Sequence, residues 1–184
     1  IHAIEAYCVP GFHPLCDGAA LEGLRLVARW LPTAVAEPEN LEARAGMLAG
    51  SCLAGIAFLK GLGLVHAISH MVGAEYDTHH GLTNAITLPA VLRFNRPAIE
   101  SNVAPIGHAL GLEDPSFDNV YGTLCDLLDA FAIPRTLGEL DIPASGVARL
   151  AEKAGRDSAA TTNPRIANLA EMEQLIEDAR SFGR

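Results

Sequence analysis

His66 and His70 stand four residues apart in GLGLVHAISHMVGA (61–74), a run with helical apolar spacing, so both rings project from one face of a helix. His79 and His80 follow after a turn-like polar stretch, EYDTHHG (75–81), and His2 lies far upstream on a separate helical segment. Neutral imidazole suits Fe(II), Zn(II) and related ions, and a divalent ion needs three or four such groups converging from different elements. The i, i+4 pair alone is equally compatible with two hydrogen-bonded core histidines. H-A-I-S-H lacks the glutamate of H-E-x-x-H, which removes the zinc-protease reading, and no adjacent His-Asp pair marks a phosphohydrolase site. His13 and His108 are expected at the surface or at helix caps, and His79 facing solvent or a partner carboxylate.

Helices must position these rings, because the apolar spacing is helical almost everywhere. Residues 1–9 read as the end of a helix closed by Pro10 and Gly11. A second helix follows Pro14 and is expected to stop at Pro32, and a third runs from about Pro38 to Leu59. The small residues GMLAGSCLAG (46–55) predict a central helix that others cross closely. Further helices are expected near 82–93, 98–109, 116–131, 143–154 and 169–181, with breaks at Gly111, Pro134, Pro143 and Asn163-Pro164. TLPAVL (87–92) is the one strand candidate, weakened by Pro89. The chain therefore reads as all-α, and without a GxGxxG or alternating strands it offers no dinucleotide fold of its own.

Composition narrows the function. The chain has 184 residues, 49% of them apolar, which suits one domain with a sizeable core and excludes general disorder. Lys and Arg number 13 against 22 Asp and Glu, a net charge of −9 that argues against nucleic acid or an anionic membrane as partner. No uninterrupted apolar run approaches the roughly 18 residues of a membrane span. IHAIEAYC at the start has no signal-peptide pattern and no Met, so a cytoplasmic protein and a fragment are both expected. Cys8, Cys16, Cys52 and Cys125 match no zinc-knuckle spacing and read as reduced thiols; Cys8 and Cys16, near His2 in sequence, have no defined geometry for a soft metal.

Four segments in order resemble the iron-containing (group III) alcohol dehydrogenases: IHAIEAY (1–7), HPLCDGAALEGLRLV with ENLEARAGMLAGSCLAGIAF (13–27 and 39–58), GLGLVHAISHMVGAEYDTHHGLTNAITLPAVLRFN (61–95), and TTNPR (161–165). The resemblance spans residues 1–184, strongest over 1–95, and implies the helical C-terminal domain of the dehydroquinate synthase-like architecture. A separate N-terminal α/β domain would hold NAD or NADP. Carried over residue by residue, it makes His2, His66 and His80 ligands of one iron(II) or zinc(II). The family's aspartate ligand would fall four positions before His2, outside this chain; replacement by Glu5 is not favoured, and Glu5 reads as a helix-face or supporting group.

His70 matches a histidine beside the nicotinamide that relays a proton, and Phe58 matches a residue that approaches the nicotinamide. The stretch from Phe58 to His66 is one residue shorter than in several members. The implied activity is NAD(P)-linked oxidation of a small alcohol or reduction of an aldehyde in a homo-oligomer, a dimer. The 184 residues alone are expected to be inactive. Glycerol dehydrogenases, maleylacetate reductases and a non-catalytic helical metal-binding or interaction module are the alternatives.

Overall fold

Helix starts in this chain are fixed by side chains that take the first unpaired backbone N–H groups. The Asn40 carboxamide oxygen accepts from Ala43 N at 3.0 Å, and His13 Nδ1 accepts from Cys16 N at 3.3 Å just ahead of a first-turn proline, Pro14. Asn168 and Glu171 form a reciprocal capping box with both bonds at 3.0 Å. The computed structural model describes residues 1–184 and contains helices only: α1 (His2–Cys8), α2 (Pro14–Ala36), α3 (Leu41–Ala57), α4 (Leu64–Tyr76), α5 (His80–Asn95), α6 (Glu100–Ala109), α7 (Phe117–Ala130), α8 (Val147–Ala154), α9 (Ser158–Thr161) and α10 (Leu169–Ser181), with short 3-10 turns between some of them. The all-α expectation holds.

The helices gather into two units, each with its own packed interior. One comprises His2–Gly61 and Ile99–Val120 and is built on the α2–α3 hairpin, against which α1 and α6 pack. Gly23 and Gly50 meet at the crossing of the hairpin: a Cβ at Gly23 would lie 2.9 Å from the Gly50 carbonyl oxygen, and one at Gly50 3.0 Å from the Gly23 oxygen. The small residues of α3 thus serve backbone proximity, as their clustering predicts. Leu41–Lys60 reaches a mean hydropathy of 1.2 over a length that would cross a membrane, but Glu42, Arg44 and Lys60 interrupt it. Lys60 Nζ meets Asp17 Oδ1 at 2.6 Å, tying the end of the α3 segment to the start of α2.

The other unit comprises Leu62–Ala98 and Tyr121–Arg184 together with Ile1. Here α4 packs on α5, α8 and α9, and α10 lies on α5 and α8. Val65, Ile68 and Val72 of α4, Ile86 and Val91 of α5, Leu150 of α8 and Ile176 of α10 are buried in its core.

One boundary differs from the sequence reading. Pro32 does not stop α2, which runs on to Ala36; the proline is exposed, so the donor it lacks is missing from the outer face and not from the core. The helix expected near 82–93 is present as α5 and contains the whole of TLPAVL, so the strand alternative falls; every residue of TLPAVL is buried, which leaves it no one-sided apolar stripe.

At the C-terminal end of α4, Glu75 accepts from Arg149 and Lys153 of α8 at 2.6 Å each. These cations hold its carboxyl well down, at about 2. A depressed folded pKa gives stability that is present above the unfolded value of about 4.3 and is lost as pH falls through about 2. Both cations are half exposed, so Glu75→Gln is expected to cost under about 1 kcal/mol at neutral pH. The difference in Tm from the parent should shrink as pH falls from about 5; thermal denaturation across that range checks it, and a difference independent of pH would refute it.

Candidate metal centre

The site is assembled in the second unit by the first half of α4 and the start of α5. No side chain of Gly63 caps α4; instead its first N–H, that of Leu64, is accepted by Asn163 Oδ1 at 3.1 Å. Asn163 also accepts from Asn95 Nδ2 at 3.1 Å and donates to Asn95 Oδ1 at 2.7 Å and to the Arg165 carbonyl at 2.6 Å. One buried amide therefore fixes where α4 begins, where α5 ends, and how the Asn-Pro-Arg turn passes between them. Two residues into α4 comes His66, at 1% exposure, and one turn later His70, which reaches the surface. His79 opens α5, its Nδ1 accepting from Leu82 N at 3.3 Å, and His80 is the first helical residue.

The rings of His66, His70 and His80 form a cluster. Their centroids are 5.3 Å apart for His66 and His80, 5.8 Å for His66 and His70, and 5.6 Å for His70 and His80, the last pair stacked within 13° of parallel. The ligand nitrogens of His66 and His80 lie within 4.8 Å of each other. Both Nε2 atoms point at one group: Asn84 Nδ2 sits 3.2 Å from His66 Nε2 and 3.0 Å from His80 Nε2. A donor bonded to both nitrogens requires a lone pair on each, which is the state a metal ligand must have.

The outer hydrogen bonds agree. His80 Nδ1 lies 3.4 Å from Ser69 Oγ, which itself donates to the His66 carbonyl at 3.2 Å, so a proton on Nδ1 leaves Nε2 bare. Burial, with the rings of His66, His70 and His79 adding to it, lowers the His80 pKa from its usual value and favours the neutral ring. The donor set fits a borderline divalent cation such as iron(II) or zinc(II). Asn84 Oδ1 is buried without any hydrogen-bond partner, a deficit of about 1–3 kcal/mol that a polar or cationic guest would relieve.

His70 is oriented differently. Its Nδ1 lies 3.0 Å from Asp157 Oδ2, while Asp157 Oδ1 caps α9 by accepting from Ala159 N at 2.8 Å. An ionised carboxylate only accepts, so His70 carries its proton on Nδ1 and offers Nε2 as acceptor.

His2 opens α1 in the other unit, half-buried, with its ring 4.9 Å from that of Phe58 and tilted by 54°. Phe58 closes α3 and is partly exposed. His13 caps α2 and His108 is exposed on α6, as expected of surface or capping histidines; His79 is exposed, as expected of a solvent-facing ring, and also caps α5. No carboxylate partners His79. Glu5 is buried on α1. Cys8 is buried and its thiol is pushed up to about 12, chiefly by burial. Sequence reasoning missed Ser69, Asn84, Asn95 and Asp157, and placed Asn163 only within a turn. Asn84 and Ser69 had a usable signal, lying four and eleven residues from His80, the former at helical spacing.

Residues 1–180 match the Fe-containing alcohol dehydrogenase family, C-terminal, and the chain belongs to that family. It is 36% identical to the NAD-dependent methanol dehydrogenase of Bacillus methanolicus over 97% of this chain and 49% of that protein. Identity to the 1,3-propanediol dehydrogenase of Citrobacter freundii is also 36%, over 97% and 48%. Among solved structures, a 1,3-propanediol oxidoreductase superposes with a TM-score of 0.93 at 36% identity, covering 97% of this chain and 48% of the other. An iron-containing alcohol dehydrogenase from Thermococcus thioreducens gives 0.88 at 34%, over 97% and 47%. The chain spans about half the length of the relatives it matches.

Asn163→Ala strips partners from the Leu64 N–H and from both ends of the Asn95 amide, all buried. The expected loss is about 2–4 kcal/mol of unfolding free energy. Urea denaturation monitored by circular dichroism measures it, and a loss below about 1 kcal/mol would show that Asn163 does not anchor α4.

Proposed function

We propose that this chain is the metal-bearing part of an NAD(P)-linked alcohol dehydrogenase that oxidises a small primary alcohol or reduces the aldehyde. The observation that carries the reading is the convergence of the His66 and His80 Nε2 lone pairs on a single point. His2 enters as the third imidazole through the family resemblance, as does an aspartate upstream of residue 1. Membership of the family supports the redox chemistry, and relatives named for methanol, 1,3-propanediol and 4-hydroxybutyrate support the substrate class.

A bound divalent cation would supply Lewis acidity, lowering the pKa of the alcohol hydroxyl and polarising the carbonyl it becomes. Hydride transfer belongs to the nicotinamide, held by an α/β domain that is proposed to lie outside these 184 residues. This chain's part is orientation and proton movement. Asp157 holds His70 so that Nε2 accepts the hydroxyl proton, and a 37% exposed side chain lets that proton pass on to water. Phe58 is proposed to lie against the nicotinamide. The working enzyme is proposed to be cytoplasmic and homo-oligomeric; exposed Leu41, Leu48 and Leu59 supply apolar surface for assembly.

The full-length protein is expected to bind one iron or zinc per chain and to reduce NAD(P) with a primary alcohol, a reaction lost on chelation. His66→Ala and His80→Ala should each weaken metal binding by at least about 100-fold, read by equilibrium dialysis with metal analysis. The 184 residues alone should bind metal without turnover. Stoichiometric binding that survives both substitutions would refute the assignment, and turnover by the 184 residues would refute the division of labour.

A further inference from the structure

Asn84 follows His80 by one helical turn and shares its face of α5. It is 5% exposed, gives its amide nitrogen to two imidazole acceptors, and leaves its own carbonyl oxygen buried and unpaired. An amide serving only its own hydrogen bonding would not leave its stronger acceptor empty in the core. The arrangement also cannot persist beside a cation on the same lone pairs, because the positive N–H ends would face the positive ion. The terminal torsion of asparagine is broad and roughly two-fold, so a half-turn exchanges Nδ2 and Oδ1 with little change of shape.

We propose that Asn84 is a positioning residue of the metal centre, a placeholder whose amide holds the His66 and His80 Nε2 lone pairs inward in the cation-free protein and turns on loading so that Oδ1 faces the positive charge. This rests on the reading of His66 and His80 as ligands and adds what orders them before the cation arrives. Each loading event exchanges two amide–imidazole bonds for two metal–imidazole bonds. The rings are already in the tautomer the cation needs, so loading orders neither of them anew.

Nitrogen-15 NMR of the purified protein, without metal and with one equivalent of zinc, tests it. In the cation-free protein both rings are expected as the Nδ1–H tautomer, with the Asn84 amide protons slow to exchange with water. Zinc should shift those amide signals and remove their protection at one equivalent. Asn84→Ala should give mixed tautomers at both rings and bind zinc about 10–100-fold more weakly. Asn84→Asp keeps the shape without a donor; its carboxylate can only accept, so the rings should move to the Nε2–H tautomer.

Zinc bound with the amide signals unmoved would overturn the placeholder alone, as would parental tautomers in Asn84→Asp even if Asn84→Ala fails to fold. A parent protein that binds no zinc would overturn the ligand assignment as well, so the two failures are told apart.

Discussion

The geometry of the centre depends on one buried amide. Asn163 receives the first N–H of the helix carrying His66 and His70, and on its other side it pairs reciprocally with Asn95 at the end of the helix that begins with His80. A helix start has no intrahelical acceptor for its first donors, and Gly63 has no side chain to offer, so the partner had to come from elsewhere in the chain. It comes 99 residues downstream. Asn163 thereby ties the start of α4, two residues before His66, to the end of α5.

Local pattern was enough to read most of the architecture. Helical spacing marks α2, α3 and α10, where one face is apolar and the other wet, and the i, i+4 spacing of His66 and His70 places both rings together without any tertiary information. The helix near 82–93 was also expected, but α5 is buried almost all round from Thr83 to Leu92, and without a solvent face it has no one-sided stripe to exclude a strand over TLPAVL. Asp157 and Asn163 were hidden for another reason. Their partners lie 87 and 99 residues away, and no local rule links such distances. His66 and His80 were singled out through resemblance; the hydrogen bonds that set their tautomers were not legible, because tautomer choice depends on what the far nitrogen meets in three dimensions.

Neighbouring histidines of this unit are held by different groups. His70 and His80 stack almost parallel, and both carry the proton on Nδ1, yet the partner differs. The Asp157 carboxylate stands behind His70, whereas the Ser69 hydroxyl stands behind His80, whose pKa is lowered by desolvation and by the neighbouring imidazoles. The contrast arises from the identity of residues 69 and 157, not from the imidazoles.

The residue after Asn163 is Pro164. Asparagine ages by ring closure, in which the backbone nitrogen of the next residue attacks the side-chain carbonyl and releases ammonia. That nitrogen must carry a hydrogen to lose, and proline has none. The amide on which the site's geometry rests is therefore shielded from the commonest route by which a buried asparagine would turn, over a protein's lifetime, into an unwanted negative charge.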